Sequence, residues 1–403
     1  MISVTEAIRI VREQTSALSP EHVALENVRG RYLAEDIVAD SDLPPFDRSQ
    51  MDGYALRAGD AQQAPARLRI VGESAAGRGW HTEMKPGEAV RIMTGAPVPA
   101  GADSVQQVEL THEIEDGREV EIQQAPTLGK SIVRRGSEIK EGETVLVAGD
   151  QINAATMAVL ASFGYAEVSV SRQPKVAVLA TGSELVAVDH KPGPDQIRDS
   201  NNFTIAAYAQ LAGATVEYLP LAGDDTALLR RQIAEAAERS DIVITSGGVS
   251  VGVYDFTRPA LRELGAEFFF ERVALRPGKP TVFARLPSGT LFFGLPGNPV
   301  SVSVTFNLFA RTSILTMQAA KTPTLPEDWA VLARNVKGAL ERESYLPAQL
   351  GTTGEGTLTA TPLKWGGSSD FVGFVRATAL IIVPADTREV VAGTRVRVAH
   401  LPQ

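Results

Sequence analysis

Between Asp241 and Asp255 an apolar run, Ile242, Val243 and Ile244, passes straight into "TSGGVSVGVYD". Three β-branched residues with no polar alternation predict a short strand buried on both faces. The glycines that follow, Gly247, Gly248 and Gly252, let a backbone bend closely around a ligand. A helix expected over residues 257–264 would present its first N–H groups to an anion. The same strand–turn–helix beat recurs from Pro174 onward. "KVAVLATGSEL" predicts a strand, and "RDSNNFTIAAYAQLAG" a helix capped by Ser200 or Asn201 and ended by Gly213. "TVEYLPLAGDD" predicts a strand and "DTALLRRQIAEAAERS" a helix capped by Asp225. A hairpin, "PTVFARLPSGTLFFGLPGN", and a helix with Asn298 at its N-cap and Pro299 at N1 complete the series. This alternation predicts a three-layer α/β domain with a largely parallel sheet, whose ligands lie beyond the carboxyl ends of the strands. "TGSEL", "LAGDD", "TSGGVS" and "LPGNPVS" all fall at that edge.

On either side the pattern changes. Helical periodicity covers residues 5–18 and again "NAATMAVLASFG", with Asn153 as N-cap and Gly164 as the stop. Between them short strands are broken by Gly/Pro clusters, as in "ARLRIVGESAAG", "EAVRIMTGAPVPAGADSV", "REVEIQ" and "ETVLVAGD". The expected division is a discontinuous N-terminal helical region (1–46 and 140–173), a small β domain (47–139), the α/β domain (174–320) and a C-terminal β domain (321–403). In the last, strands are expected at "EDWAVLARNV", "TLTATPL", "RATALIIVPAD" and "REVVAGTRVRVAH".

A chain of 403 residues is too long for one core, in line with several domains. No apolar run is long enough to span a bilayer, and the amphipathic start lacks a signal-peptide core, so a cytoplasmic protein is expected. A net charge of −9 argues against general nucleic-acid binding while leaving room for a local basic pocket. Zero cysteines exclude disulfides, thiolate metal sites and thiol catalysis. The five histidines, His22, His81, His112, His190 and His400, show no i+3 or i+4 pairing, so each reads as a surface residue. Any metal is then expected to be a hard cation held by carboxylates and phosphates.

Several motifs carry competing readings. "GVSVG" matches a nucleophile elbow with Ser250 as nucleophile, but His400, in another expected domain, is the one histidine left to complete a triad. "TLGKS" resembles the end of a P-loop, yet Gln124 stands where its first glycine belongs, leaving Lys130 as a solvated loop residue. Asp255 suits a helix cap or a magnesium ligand, two compatible roles. Asp225 suits the next helix's cap, whereas Asp224 is freer to meet a cation. Glu184 follows a strand end and a tight turn. "RPGKP" fixes Arg276 and Lys279 around a Pro-Gly bend, where both could be solvated or could face an anion. Ser301 lies in the first turn of its helix, a position that favours anions. "PPFDRSQMDGYALR" and "RIMTGAPVPAGADS" set Asp52 and Thr94 in turns for which both residue types are common.

Together, "PPFDRSQMDGYA", "RIMTGAPVPAGAD", "VRRGSEI", "LATGSEL", "DSN", "SGGVSVGVYD", "RPGKP" and "LPGNPVS" resemble, in this order, the molybdopterin molybdenumtransferases, the family of bacterial MoeA and the E domain of gephyrin-like proteins. The resemblance runs over nearly the whole chain and weakens after Ala320. It implies an elongated homodimer of four-domain subunits with a MogA-like molybdopterin-binding α/β domain. It also implies Mg2+-dependent insertion of molybdate into adenylylated molybdopterin with release of AMP; the pterin's dithiolene supplies sulfur to the metal, so no cysteine is needed. Carried over position by position, Ser246, Gly247, Gly248 and Ser250 would cradle phosphates. Asp224 or Asp225, with Asp255, would handle Mg2+. Lys279 and Ser301 would hold molybdate, with Arg276, Pro280 and Ser369 beside them. Glu184 would line the cleft. Asp52 and Thr94 match residues that line it from the N-terminal half of the other subunit. Arg276 stands where many relatives have lysine. Pro347 stands where relatives often carry a cleft arginine, a role for which Arg342 is the substitute on offer. Molybdopterin adenylyltransferase and molybdoenzyme apoproteins or their chaperones are the implied partners. A non-catalytic scaffold is the rival, against which the joint retention of Asp52, Thr94, Glu184, Asp255 and Lys279 argues.

Overall fold

A computed structural model describes residues 1–223, 225–249 and 256–402. The chain divides into two compact units, one of residues 1–35, 148–154 and 167–403, the other of residues 36–147 and 155–166.

The larger unit is organised by a six-stranded sheet ordered Thr215–Tyr218, Lys175–Ala180, Ile242–Ser246, Leu291–Leu295, Val282–Arg285, Glu267–Phe270. The first four strands pair in parallel, and Val282–Arg285 runs antiparallel to both its neighbours, so the sheet is mixed. Successive side chains of a strand point to opposite faces. Ile242 and Ile244 accordingly enter one apolar cluster and Val243 the other, and all three are fully buried. This explains why the run has no polar alternation: both faces are covered. Helices Asn201–Leu211 and Pro299–Thr305 contribute to the first cluster, and Thr226–Ala237 and Thr257–Glu263 to the second.

The caps partly redistribute the expected roles. Asp225 Oδ1 accepts the N–H groups of Ala227 (2.9 Å) and Leu228 (3.1 Å), as the sequence predicts. At Asn201–Leu211 neither Ser200 nor Asn201 caps. Asp199 Oδ1 accepts the Asn202 N–H at 3.1 Å, which leaves the Asn201 amide for tertiary contact. Asn298 precedes Pro299 as expected but makes no side-chain cap bond, its amide being used elsewhere. The N-terminal helix covers Val4–Glu13 and stops short of residue 18. Its buried stripe Val4, Ala7, Val11 ends there, the Thr15 hydroxyl turns back to the Val11 carbonyl, and the Leu18 N–H is taken by Met317.

The C-terminal region is a closed barrel. Strands Glu343–Thr352, Leu358–Pro362, Glu327–Leu332, Arg395–His400 and Ala379–Val383 pair in sequence, and the last pairs back to the first. Closure removes the exposed sheet edges. The longest strand, Glu343–Thr352, lies outside the expected set because it carries Pro347, which lacks the N–H a ladder needs. Its carbonyl still serves, accepting the Leu363 N–H at 2.9 Å. A two-residue strand, Leu275–Arg276, runs parallel to Glu343–Ser344 and so stitches the "RPGKP" segment to the barrel.

The smaller unit holds a six-stranded sheet ordered Ser104–Gln107, Gly53–Leu56, Glu88–Ile92, Ala66–Ser74, Glu119–Ile122, Thr111–Ile114. In Glu119–Ile122 the apolar positions Val120 and Ile122 are buried, while Glu121 faces out to pair with Arg67 of the neighbouring strand at 3.2 Å. Among the described residues no helix is long and apolar enough to cross a membrane.

Candidate functional site

At the carboxyl edge of the large sheet, strand Ile242–Ser246 ends in Gly247 (φ +86°) and Gly248 (φ +63°), backbone states that residues with a Cβ rarely adopt. Space forbids a side chain as well. A Cβ on Gly247 would stand 2.5 Å from the Thr181 carbonyl oxygen, and one on Gly248 2.8 Å from the Thr257 hydroxyl. The chain therefore turns in close contact with the end of the neighbouring strand and the start of the following helix. The hydroxyls of Ser246 and Thr257 and the amide oxygen of Asn201 are buried at this edge without a hydrogen-bond partner among the described residues. Buried polar atoms left unpaired at a sheet's carboxyl edge are donors and acceptors in want of a ligand. The Asn201 amide nitrogen bonds the Gly297 carbonyl at 2.8 Å, drawing in the segment that precedes the next helix. Asp199 is buried beside it, and burial pushes its carboxyl above the usual carboxylate range.

Of the acids expected here, Asp225 commits one oxygen to its cap. Glu184 is exposed and folds over Gly182, where a Cβ would meet its carboxylate at 2.3 Å. Asp224, Ser250 and Asp255 lie outside the described residues. Among the described residues no group of three His, Asp or Glu side chains converges in a way that could hold a metal.

A cavity of about 690 Å³ opens between the α/β domain and the barrel. Gly278 (φ +115°) packs beneath the helix that begins at Pro299, where a Cβ would lie 2.4 Å from the Thr305 methyl. With Gly278 so seated, Val273 and Thr281 both donate N–H bonds to the Lys279 carbonyl, at 3.0 and 3.1 Å. The backbone of Lys279 is thereby held, while its side chain stays exposed and lines the cavity. Arg276, Pro280 and Ser301 line it too, so the structure brings these expected residues to one place. Arg276 is the more constrained cation, donating to the Gly338 carbonyl at 3.2 Å. Both Pro347 and Arg342 reach the cavity. Ser368 lines it as well, whereas Ser369 is exposed and does not. Ser368 also lashes the barrel to the α/β domain: its hydroxyl accepts from Asn298 Nδ2 (2.9 Å) and its carbonyl from Val300 N–H (3.0 Å). Sequence reasoning assigned no role to Asn298 beyond a cap, nor any to Lys337 or Trp365, both of which line the cavity. No short motif marks the last two.

In the smaller unit Asp52 and Thr94 meet, as their turns permit. Asp52 Oδ1 accepts the Thr94 N–H at 2.7 Å and its hydroxyl at 3.0 Å. These bonds, the N–H first, hold the Asp52 carboxyl below its usual range. The flanking backbone is zipped, with Gly95 N–H to Ser49 O at 2.9 Å and Ser49 N–H to Ala96 O at 3.0 Å. For the hydrolase alternative, His400 is occupied: its Nε2 pairs with Asp328 at 2.8 Å within the barrel. The other four histidines are exposed, as is Lys130.

Comparison with known proteins identifies relatives over the whole chain. Residues 2–164 match the family model of the MoeA N-terminal region (domain I and II), 177–316 that of a probable molybdopterin binding domain, and 329–401 that of the MoeA C-terminal region (domain IV). The chain is 38% identical to the molybdopterin molybdenumtransferase of Bacillus subtilis, over 98% of this chain and 93% of that one. It is 37% identical to the Haemophilus influenzae protein of the same name, over 94% and 93%. Among solved structures, two of molybdopterin biosynthesis MoeA protein from Pyrococcus horikoshii superpose with TM-scores of 0.81 (30% identity, 99% of each chain) and 0.85 (26% identity, 100% of each).

Proposed function

The chain belongs to the molybdopterin molybdenumtransferase family, transferases of molybdenum cofactor biosynthesis, and on that premise we propose that it inserts molybdate into adenylylated molybdopterin and releases AMP. The observation that carries this reading is the cavity between the α/β domain and the barrel. Arg276, Lys279, Lys337 and Arg342 line it together with Ser301, and among the described residues no carboxylate lines it. In a chain of net charge −9 such a concentration of cations is a site for an anion. Lys279 and Ser301 are assigned to molybdate, with Arg342, which lines the same cavity, adding charge that Pro347 does not provide.

The tight turn at Ser246, Gly247 and Gly248 is assigned to one phosphate of the substrate's phosphate–phosphate link, where the hydroxyls of Ser246 and Thr257 supply donors without a net charge. Water attacks the AMP-bearing phosphorus, the bond to the oxygen shared with the pterin's phosphate breaks, and that oxygen leaves on the pterin monophosphate as AMP departs. The pterin's two thiols then bond molybdenum, and one molybdate oxygen leaves with their two protons as water. Lys279 and its neighbouring cations counter the negative charge that builds on the phosphate oxygens. Magnesium belongs to the proposal through Asp224, Asp225 and Asp255. Asp225 already spends one oxygen on its helix, and among the described residues no three His, Asp or Glu side chains converge to complete a ligand set. Glu184, Asp52 and Thr94 complete the proposed reacting groups. A four-domain subunit, a homodimer, a cytoplasmic setting and exchange of substrate and product with an adenylyltransferase and with molybdoenzyme apoproteins are further parts of the reading.

The test follows AMP release from adenylylated molybdopterin by the purified chain, with and without molybdate and Mg2+. Molybdate-dependent release with molybdenum retained on the pterin is the expected result. Tight pterin binding without AMP release would make the chain a scaffold. No binding would overturn the reading.

A further inference from the structure

A tetrahedral oxyanion takes up about the space of two water molecules, roughly 60 Å³ at about 30 Å³ per water. The cavity, at about 690 Å³, has the size of an organic ligand's pocket. Its lining is also of two kinds. Beside the four cations stand Leu363, Pro347 and the indole of Trp365. Pro347 and Leu363 are bonded neighbours through the Leu363 N–H. Trp365 rests against both the apolar cluster under the α/β sheet and that of the barrel, so its ring is fixed from two sides. None of Arg276, Lys279, Lys337 and Arg342 forms an ion pair among the described residues, although most other arginines on nearby strands and helices do.

We propose that this cavity seats a fused-ring nitrogen heterocycle against Trp365, with the phosphate that the heterocycle carries held by Lys337 and Arg342. The inference rests on the functional reading above and specifies which part of the substrate the barrel recognises. A rigid indole offers a stacking face to any planar heterocycle. Unpaired guanidinium and ammonium groups offer charge-assisted bonds to phosphate oxygens. A bare oxyanion would use the cations and leave the indole idle. Two parts of the substrate share this chemistry, the pterin and the purine of AMP, and binding measurements separate them.

Isothermal titration of the full chain with AMP, with a pterin monophosphate and with molybdate is run on wild type, Trp365→Leu and the double variant Lys337→Gln/Arg342→Gln. Trp365→Leu is expected to weaken one heterocycle about tenfold and to leave molybdate within about twofold of wild type; the affected probe identifies the ring. The double variant is expected to weaken that same probe. Wild-type affinity of Trp365→Leu for both heterocycles overturns the proposal while leaving molybdenum insertion intact. Failure of every probe to bind wild type overturns the functional reading with it. Should Trp365→Leu not fold, Trp80→Phe/Trp329→Phe leaves Trp365 as the single indole of the three. Its emission must change when the heterocycle binds, and unchanged emission at saturation sinks the idea.

Discussion

Replacing Gly247 by alanine tests whether the turn after the central strand is built by close contact. Any residue with a Cβ at φ +86° pays about 1–2 kcal/mol in local conformational energy. That term alone would be shared by Gly289, which turns at φ +89° in the hairpin between Val282–Arg285 and Leu291–Leu295. The two sites differ in space. Nothing lies within 4 Å of a Cβ on Gly289, whereas one on Gly247 meets the Thr181 carbonyl oxygen at 2.5 Å. Carbon and carbonyl oxygen rest together at about 3.3 Å, so strand or turn must yield by roughly 0.8 Å. Overpacking of that kind costs about 1–3 kcal/mol beyond the conformational term. A displacement near 1 Å at a reacting centre slows turnover by about 100-fold. Gly289→Ala should therefore lose about 1–2 kcal/mol in urea unfolding and release AMP at the wild-type rate. Gly247→Ala should lose at least about 1 kcal/mol more and fall about 100-fold in rate. Equal unfolding midpoints for the two variants, with wild-type turnover in both, would refute the close-contact argument.

Lys279→Gln removes one unpaired cation from the cavity, and loss of a charge-assisted bond of about 1.5–3 kcal/mol should raise the molybdate KM about 10- to 100-fold; an unchanged KM in the AMP-release assay would dismiss the assignment. Thr94→Val keeps the N–H bond to Asp52 but deletes the hydroxyl donor. Because those donors depress the Asp52 pKa, its charge persists as pH falls and is lost only through the lowered folded value. The variant should move the Asp52 carboxyl titration, followed by carbon-13 NMR, toward higher pH. Burial raises the Glu343 carboxyl in the barrel. A folded pKa above the unfolded one makes its ionisation a cost that grows as pH rises from the unfolded toward the folded value. Glu343→Gln should then stabilise the chain at pH 7 and confer no advantage below about pH 4, as thermal melts at the two pH values would show.

Much of the α/β domain was legible because its signals are local. The alternation of β-branched runs with helical periods, Asp225 before its helix and the glycines after Ser246 each act within a few residues, and the structure reproduces them. Where a choice lay between neighbours, tertiary contact decided. Asp199 caps the helix at Asn201, which is drawn instead to the Gly297 carbonyl, and Asn298 leaves its cap for Ser368. The strand through Pro347 was hidden because a proline removes the local signal of a ladder, while a closed barrel can still use its carbonyl.

By itself, then, the sequence determined most of the elements, the order of the motifs and the residue types suited to an anion, since propensity, turn chemistry and charge are properties of short stretches. Only the tertiary structure decided which of these share a cavity. The "RPGKP" segment meets Ser301, Lys337, Arg342 and Trp365 because a two-residue strand at Leu275 pairs with a barrel strand almost seventy positions later, Glu343–Ser344. Such a pairing leaves no periodic trace in the chain. It arises from burial and hydrogen bonding summed over two domains, and those become defined only when the chain has folded.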